Sequence, residues 1–181
     1  MSPAAVPSPD AATAADERSI IATIDAVGFF ADRGDWDRVA AQFHPGGVTL
    51  DYRSHASASA GTGSEPARQS PRSAVEAWQT VLPGYDHTQH AISNHQVEMG
   101  GDAATVLSTI HAMHVLGGDS WVFLGDYEHR LVRTDEGWRI VRMTANMRAE
   151  LGDPELPRRA AERVARGEGR RNGAQGDGER A

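Results

Sequence analysis

Histidines are the side chains of this sequence best suited to chemistry. Five of the eight fall within residues 86–116, among them His90 and His114. Imidazole is the one side chain whose unperturbed pKa lies near neutrality, so two such rings facing a common cavity would be suited to proton transfer. The pairs His87/His90 and His111/His114 also raise the hypothesis of a metal site. Because residues three apart on a strand point to opposite faces, neither pair can chelate as neighbouring ligands, and we expect no metal.

Three helices and then a run of long strands must position these rings. Apolar residues at three- and four-residue spacing predict a first helix from Asp16 to about Gly34, and Pro71 is well placed to begin another. The predicted helices cover 16–34, 35–43, 71–82 and 155–165, and the predicted strands cover 48–52, 87–99, 103–116, 120–133 and 137–147. Helices before an antiparallel meander predict an α+β fold, in which a curved sheet wraps around three N-terminal helices and encloses a pocket.

Composition predicts one folded domain with two disordered ends. Residues 1–14 are rich in Ala, Pro and Ser, and residues 167–181 are polar and Gly-rich, so we expect both ends to be disordered. Between them we expect a catalytic domain over 15–150, followed by a C-terminal helix and the tail within 151–181. The Ser-, Ala- and Gly-rich segment 54–70 is long for an interior connection and predicts a mobile loop.

Charge and residue usage exclude several classes of function. The net charge of −7 is spread along the chain without a basic stripe, which disfavours nucleic-acid binding. Cysteine is absent, so thiolate nucleophiles, disulfides and cysteine-ligated metal sites are excluded. No apolar run approaches the roughly 18 residues that a membrane span needs, and the first residues do not read as a signal peptide. We therefore expect a cytoplasmic protein without a membrane partner. Phosphate-binding loops and nucleophile elbows are also missing, which argues against nucleotide or serine chemistry.

Five short motifs occur in an order and spacing that resembles scytalone dehydratase. They are DRGDWDRV at 32–39, LDYRS at 50–54, TQH at 88–90, IHAMH at 110–114 and EGWRI at 136–140. More broadly, the chain resembles the SnoaL-like branch of the nuclear-transport-factor-like superfamily of cone-shaped α+β proteins. The resemblance covers roughly residues 16–150. Trp-Asp and Gly-Trp only mark the fold, whereas the polar residues match the dehydratase site group by group.

The resemblance implies a role for each of four residues. Asp32 would point into the cavity from the end of the first helix, and His90 and His114 would enter from adjacent strands. Tyr52 would aim its hydroxyl at a substrate carbonyl. In such enzymes a carboxylate-paired imidazole removes a proton α to a carbonyl without a cofactor, hydroxyl donors hold the enolate, and a β leaving group departs. Asp32 and His114 would then orient the base His90 and share protons with it.

The sequence also departs from the dehydratase pattern. Ala31 stands where the dehydratase has a second Tyr, and Tyr127 aligns with an Asn that lines its pocket. We hypothesise that Tyr127 partners Tyr52 from another wall, which would change the pocket's shape and exclude scytalone itself as the natural substrate. We also assign Asn94 and Met147 to substrate binding.

Each of these residues also has a purely structural interpretation. His90 could be a core histidine bonded to backbone, Asp32 a surface carboxylate, and Tyr52 a half-buried packing residue. We interpret all four tryptophans as core and four histidines as surface or strand-face residues: Trp36, Trp78, Trp121 and Trp138, and His87, His95, His111 and His129.

The function that these observations favour is dehydration of a small molecule. We expect a cofactor-independent lyase that removes water from a cyclic hydroxy-carbonyl compound, such as a polyketide or other natural-product intermediate. One alternative is a cyclase or isomerase of the same fold, which would use the same base without expelling a leaving group. Another is a non-catalytic module that binds a small molecule or a partner. On resemblance alone we expect a homo-oligomer, a trimer before a dimer.

Overall fold

The computed structural model describes residues 11–53 and 66–170. These form four α-helices, one 3-10 turn and six strands. The helices are α1 Ala11–Ala31, α2 Trp36–Ala40, α3 Pro71–Gln79 and α4 Leu156–Ala165, and the 3-10 turn is Leu82–Gly84. The strands are β1 Val48–Arg53, β2 Arg68–Gln69, β3 His87–Gly100, β4 Ala103–Leu116, β5 Asp119–Thr134 and β6 Gly137–Gly152. No helix in this part of the chain is long and apolar enough to cross a membrane.

The strands form one curved, unclosed sheet in the order β2-β1-β6-β5-β4-β3. β3 to β6 pair as the predicted antiparallel meander, whereas β1 runs parallel to β6. That parallel pair is possible because β1 and β6 are far apart in sequence and so need no hairpin. Register shifts interrupt the β3–β4 and β5–β6 ladders, and such bulges bend and twist a sheet. The predicted α+β fold with a curved sheet is confirmed.

The core forms where α1 packs on the inner face of the sheet. Ile20, Ile24 and Val27 recur on one side of α1 and are buried with Leu131 and Ile140 from the sheet. Burying an aliphatic side chain of this size contributes about 1.5–3 kcal/mol. The apolar spacing of the first helix therefore determines which of its faces meets the sheet, and this contact positions the end of the helix.

Several element boundaries differ from the predictions. α1 begins at Ala11, so residues 11–14 are helical and not part of a disordered segment. The short strand β2 lies within the predicted 54–70 loop and pairs with β1, and β6 extends to Gly152. Residues 1–10, 54–65 and 171–181, which include most of the predicted loop and most of each predicted disordered end, lie outside the described residues. Residues 167–170 were also predicted to be disordered, but they are described, and the Arg170 N–H donates to the Pro83 carbonyl oxygen.

The predicted C-terminal helix is α4, which packs against the body of the domain. Leu156 and Ala160 are buried against Tyr85. Gly84 makes this approach possible, because a Cβ at that position would lie 2.0 Å from the Ala160 carbonyl oxygen. Arg163 pairs with Asp86 and also donates to the Gly84 carbonyl oxygen. The chain beyond β6 therefore covers one end of the folded body.

Candidate active site

A cavity of about 520 Å³ lies between the helices and the inner face of the sheet. Its walls are mainly apolar and aromatic, and they include the side chains of Ile92, Phe123, Met143 and Met147. Pro157 from α4 borders one end. Small-molecule sites commonly have this size and this mostly apolar lining with a few polar groups.

Asp32 and His90 form a hydrogen-bonded dyad at the cavity wall. Asp32 follows the last residue of α1, and its Oδ1 lies 2.7 Å from His90 Nδ1. The other carboxylate oxygen, Oδ2, accepts the backbone N–H of His90 at 2.8 Å. Gly28 lets β3 approach α1 this closely, since a Cβ there would lie 2.9 Å from the His90 Cβ. Both side chains of the dyad are mostly buried, at 12% exposed for Asp32 and 15% for His90.

The carboxylate determines the tautomer of His90. Burial raises the pKa of the Asp32 carboxyl, but the hydrogen bonds and charge of His90 outweigh this effect, and the pKa is lowered overall. Asp32 is therefore ionised at neutral pH and can only accept hydrogen bonds. Nδ1 of His90 must then carry the hydrogen, which leaves Nε2 as the nitrogen that can take a proton.

His114 lies beside the dyad but does not bond to Asp32 in the described structure. Its ring meets the His90 ring edge to face, with centroids 5.3 Å apart, and its Nδ1 lies 3.3 Å from the Trp121 carbonyl oxygen. A carbonyl oxygen can only accept a hydrogen bond, so Nδ1 of His114 carries the hydrogen and Nε2 carries none. Burial, helped by the charge of His90, lowers the pKa of His114 to about 4, so the ring is neutral at pH 7.

Two tyrosine hydroxyls are available to a ligand. The Tyr52 oxygen accepts the Trp78 indole N–H at 2.6 Å, which leaves the Tyr52 hydroxyl hydrogen free to donate. Tyr52 as a whole is 58% exposed, yet enclosure of its hydroxyl end raises its pKa to about 12. The Tyr127 hydroxyl has no hydrogen-bond partner among the described residues, and burial and the charge of Tyr52 raise its pKa. Both phenols stay protonated at neutral pH.

The structure brings most of the predicted site residues to one cavity. His90, His114, Tyr52, Tyr127 and Met147 all line it, and Asp32 lies directly behind His90.

Asn94, which was assigned to substrate binding, is the exception, because it does not line this cavity. Strict alternation from His90 would place Asn94 on the inner face, but the register of β3 shifts between Ser93 and Gln96. Asn94 adopts a φ of 55° within this bulge, is exposed, and donates to Thr109 Oγ1 at 3.3 Å.

The same register shift turns His95, which was predicted to be a surface or strand-face residue, inward and largely buries it. Its side chain is 11% exposed, with Nε2 3.2 Å from Asp25 Oδ1 and Nδ1 2.9 Å from Ser108 Oγ. His129 was also expected to be a surface or strand-face residue, but it is fully buried on the inner face of β5 and lines the cavity. Alternation along β5 from Tyr127 would have placed His129 on the inner face. Trp78 and Trp121 line the cavity too, whereas Trp36 and Trp138 are core residues as predicted.

Arg170 reaches the back of the dyad from the C-terminal segment. Its Nη1 donates to the Asp32 backbone carbonyl oxygen at 3.5 Å, and its backbone N–H donates to the Pro83 carbonyl oxygen at 2.7 Å. It borders a polar groove that His90 separates from the apolar cavity. Burial lowers the pKa of Arg170, while the charge of Asp32 opposes this effect. The Gly-rich sequence around Arg170 carries no signal that would have predicted this position.

Comparison with known families decides the classification. The model of the SnoaL-like domain matches residues 12–144, which is most of the chain. The chain belongs to the SnoaL-like family. Curated protein sequences yield no match. Across the described residues, no three His, Asp or Glu side chains are grouped so that they could hold a metal ion.

Solved structures similar to this SnoaL-like protein share its fold at low sequence identity. A protein from Kribbella flavida is 24% identical, with a TM-score of 0.69 over 80% of this chain and 98% of that one. A scytalone dehydratase-like protein from Novosphingobium aromaticivorans is 17% identical, with a TM-score of 0.62 over 77% and 89%. A hexachlorocyclohexane dehydrochlorinase from Novosphingobium barchaimii is 15% identical, with a TM-score of 0.64 over 81% and 95%. At these identities the likeness shows the fold alone.

Proposed function

We propose that this SnoaL-like protein is a cofactor-independent carbon–oxygen lyase that removes water from a cyclic hydroxy-carbonyl compound. The observation that carries the proposal is the Asp32–His90 dyad, because its proton-accepting imidazole lines a mainly apolar cavity. A polyketide or similar natural-product intermediate has the required ring, carbonyl and β-hydroxyl. Two of the similar structures bear the names of a dehydratase and a dehydrochlorinase, and both names denote elimination reactions.

The first step is removal of a proton α to the substrate carbonyl by His90 Nε2. The ionised Asp32 carboxylate lies 2.7 Å from Nδ1, so it stabilises the imidazolium that forms. The Tyr52 hydroxyl donates to the developing enolate oxygen, with Tyr127 as a second donor. Tyr127 does not come from another wall as expected, because both tyrosines are in register with Ala145 of the strand between them in the same sheet. General base catalysis of this kind contributes roughly 10²- to 10⁴-fold to the rate.

The second step is departure of the β-hydroxyl group. His114 is unsuited as its acid, because the ring is neutral and the Trp121 carbonyl holds its one hydrogen. The proton that His90 has taken is therefore the one that returns to the leaving oxygen. The C–O bond breaks, a carbon–carbon double bond forms, water leaves, and His90 is neutral again. His114 then keeps the His90 ring in place through their edge-to-face contact.

The test is to incubate the protein with a panel of cyclic β-hydroxy ketones and follow substrate mass. We expect loss of one water from at least one compound. His90→Gln and Asp32→Asn should abolish this loss, whereas His111→Gln, an exposed histidine on the opposite face of β4, should not affect it. Retained mass with a new ring or a moved double bond would show a cyclase or isomerase instead. Tight binding without any conversion would show a non-catalytic binding module.

We also propose that the protein assembles as a homo-oligomer, a trimer before a dimer. The proposal rests on the family resemblance, and Leu107 and Met113, 53% and 38% exposed on the outer face of β4, are apolar side chains that such a contact would cover. Light scattering coupled to size-exclusion chromatography measures the mass directly. A monomeric mass across the micromolar range would contradict the assembly.

A further inference from the structure

Tyr85 is a further tyrosine at the cavity wall, between the 3-10 turn and β3. It is 1% exposed, and it is buried with Leu156 and Ala160 of α4. Its ring also lies against the ring of His114, with centroids 4.7 Å apart. Tyr85 nevertheless lines the same cavity as His90, so its side chain forms part of the wall next to α4.

The hydroxyl of Tyr85 has no hydrogen-bond partner among the described residues. Burial alone raises the pKa of this phenol, and no hydrogen bond contributes to the change. In the described part of the chain, the enclosed side-chain polar atoms without a partner are both ring nitrogens of His129 and Nε of Arg170. The Tyr85 oxygen is not one of them, so it borders open space in the cavity, where a ligand atom can reach it.

A phenol at this position is not explained by packing. The residues buried with Tyr85 are apolar, and the ring of a phenylalanine would fill the same space. A buried donor left unsatisfied costs free energy, and the hydroxyl of a buried tyrosine usually has a partner. The unpartnered hydroxyl of Tyr85 therefore indicates a hydrogen-bond acceptor that arrives with the ligand.

The two enolate donors lie on one side of His90 along the sheet. Tyr127 is in register with Ser108 of β4, and Tyr52 shares the level of Tyr127 across β6. His90 is in register with Ala112, which is further along β4. The place for the substrate carbonyl is therefore displaced from the base toward the start of β4.

Tyr85 lies on the other side of His90. The next residue, Asp86, donates its backbone N–H to the Val115 carbonyl oxygen at 2.8 Å, and Val115 lies beyond Ala112 on β4. The base is therefore placed between the enolate donors and Tyr85.

This order matches the order of the reacting atoms in a β-hydroxy ketone. The α carbon of such a compound lies between the carbonyl carbon and the carbon that bears the hydroxyl group. With the carbonyl oxygen at Tyr52 and Tyr127 and the α carbon at His90, the β-hydroxyl group lies on the side of Tyr85.

We propose that Tyr85 is a further catalytic residue, whose hydroxyl donates a hydrogen bond to the leaving oxygen of the substrate. This inference rests on the proposed function, since it takes the reaction to be the loss of water. The electron pair of the α C–H bond forms the new double bond, the C–O bond breaks, and the oxygen takes the proton from His90 Nε2 and departs as water. Tyr85 stabilises the negative charge that develops on this oxygen and keeps its own hydrogen.

The test compares two leaving groups on one ring. The substrates are the β-hydroxy ketone from which the wild type removes water fastest and its β-chloro analogue, which gives the same unsaturated ketone. Tyr85→Phe should lower kcat for the hydroxy ketone by about 10²-fold, the usual effect of losing one donor to a developing charge. It should leave kcat for the chloro ketone unchanged, because chloride departs without a proton. Tyr52→Phe is the control and should lower both, because either reaction forms the enolate.

A purely structural role for Tyr85 predicts a different result. Tyr85→Phe would then slow both leaving groups equally and unfold at a lower temperature, whereas we expect its melting temperature to be unchanged or raised. An equal loss for the two substrates, or an unaltered kcat for the hydroxy ketone, overturns the role of Tyr85.

Exchange of the α hydrogen in D₂O separates this inference from the lyase proposal. Exchange requires His90 and the enolate donors only, so it should persist in Tyr85→Phe and be lost in His90→Gln. A wild type that removes water no faster than Tyr85→Phe overturns the role of Tyr85 alone. A wild type that exchanges the α hydrogen but removes water from no compound overturns the lyase proposal, and the role of Tyr85 with it.

Discussion

Acidification from pH 7 to pH 5 should destabilise the protein, because two buried histidines stay neutral in the fold. Burial and the charge of His90 lower the pKa of His114 to about 4, and burial and the charge of His95 lower that of His129 to about 3. In the unfolded chain both should titrate near 6.5. Between about pH 6.5 and 4 the unfolded chain therefore binds protons that the folded chain does not, and the free energy of unfolding falls as the pH falls.

The size of the effect follows from these values. At pH 5 each histidine is almost fully protonated in the unfolded chain and almost fully neutral in the fold. Relative to pH 7, this difference lowers the free energy of unfolding by about 2 kcal/mol per histidine, or about 4 kcal/mol for the pair. That is a large part of the roughly 5–15 kcal/mol that stabilises a typical domain. The carboxyls of Asp16, Asp32 and Asp86, whose pKa values the fold lowers, contribute little in this window, because they are mostly ionised in both states.

Urea unfolding at fixed protein concentration measures the effect. His114→Gln and His129→Gln should each remove about 2 kcal/mol of the difference between the two pH values, whatever they do to stability at pH 7. His111→Gln should keep the whole difference, because water reaches its ring in the fold as well. A wild-type free energy that does not fall on acidification, or variants that keep the full difference, would refute the reasoning.

Three further predictions concern the dyad and its surroundings. Gly28→Ala should destabilise the protein by about 1–3 kcal/mol and reduce turnover, because the added Cβ would lie 2.9 Å from the His90 Cβ. The cost of this clash should exceed the gain in helix propensity. Urea unfolding measures the change, and Gly100→Ala is the control, because a Cβ at Gly100 meets nothing within 4 Å. Arg170→Gln should move the acid limb of the pH profile of kcat/KM to higher pH, because a cation beside Asp32 disfavours protonation of the Asp32–His90 dyad. Arg166→Gln, at an exposed arginine, is the control and should leave the profile unchanged. Tyr52→Phe should lower kcat by about 10²-fold, because a hydrogen-bond donor to the enolate is lost, and Trp78→Phe should lower kcat by less. Equal turnover of Tyr52→Phe and the wild type would exclude Tyr52 as an enolate donor. Unaltered turnover of Tyr127→Phe would exclude Tyr127 as the second donor.

Much of the fold could be predicted from local patterns. Some signals depend only on residues close together in the chain, so the sequence is enough to predict them. They are the apolar spacing of α1, Pro71 at the start of α3 and the turns between the long strands. The resemblance named Asp32, His90, His114 and Tyr52, and the structure brings them to one cavity. Their catalytic roles remain predictions until turnover is measured.

Tertiary structure decided which of the other polar residues face that cavity. A single bulge in β3 exchanges the positions of Asn94 and His95, because one extra residue inverts the alternation of every side chain after it. The sequence alone thus determined the elements and supplied a candidate base with its carboxylate. Only packing between distant segments determined that His129 ends the cavity without a partner and that Arg170 reaches Asp32, since both depend on contacts that local periodicity does not encode.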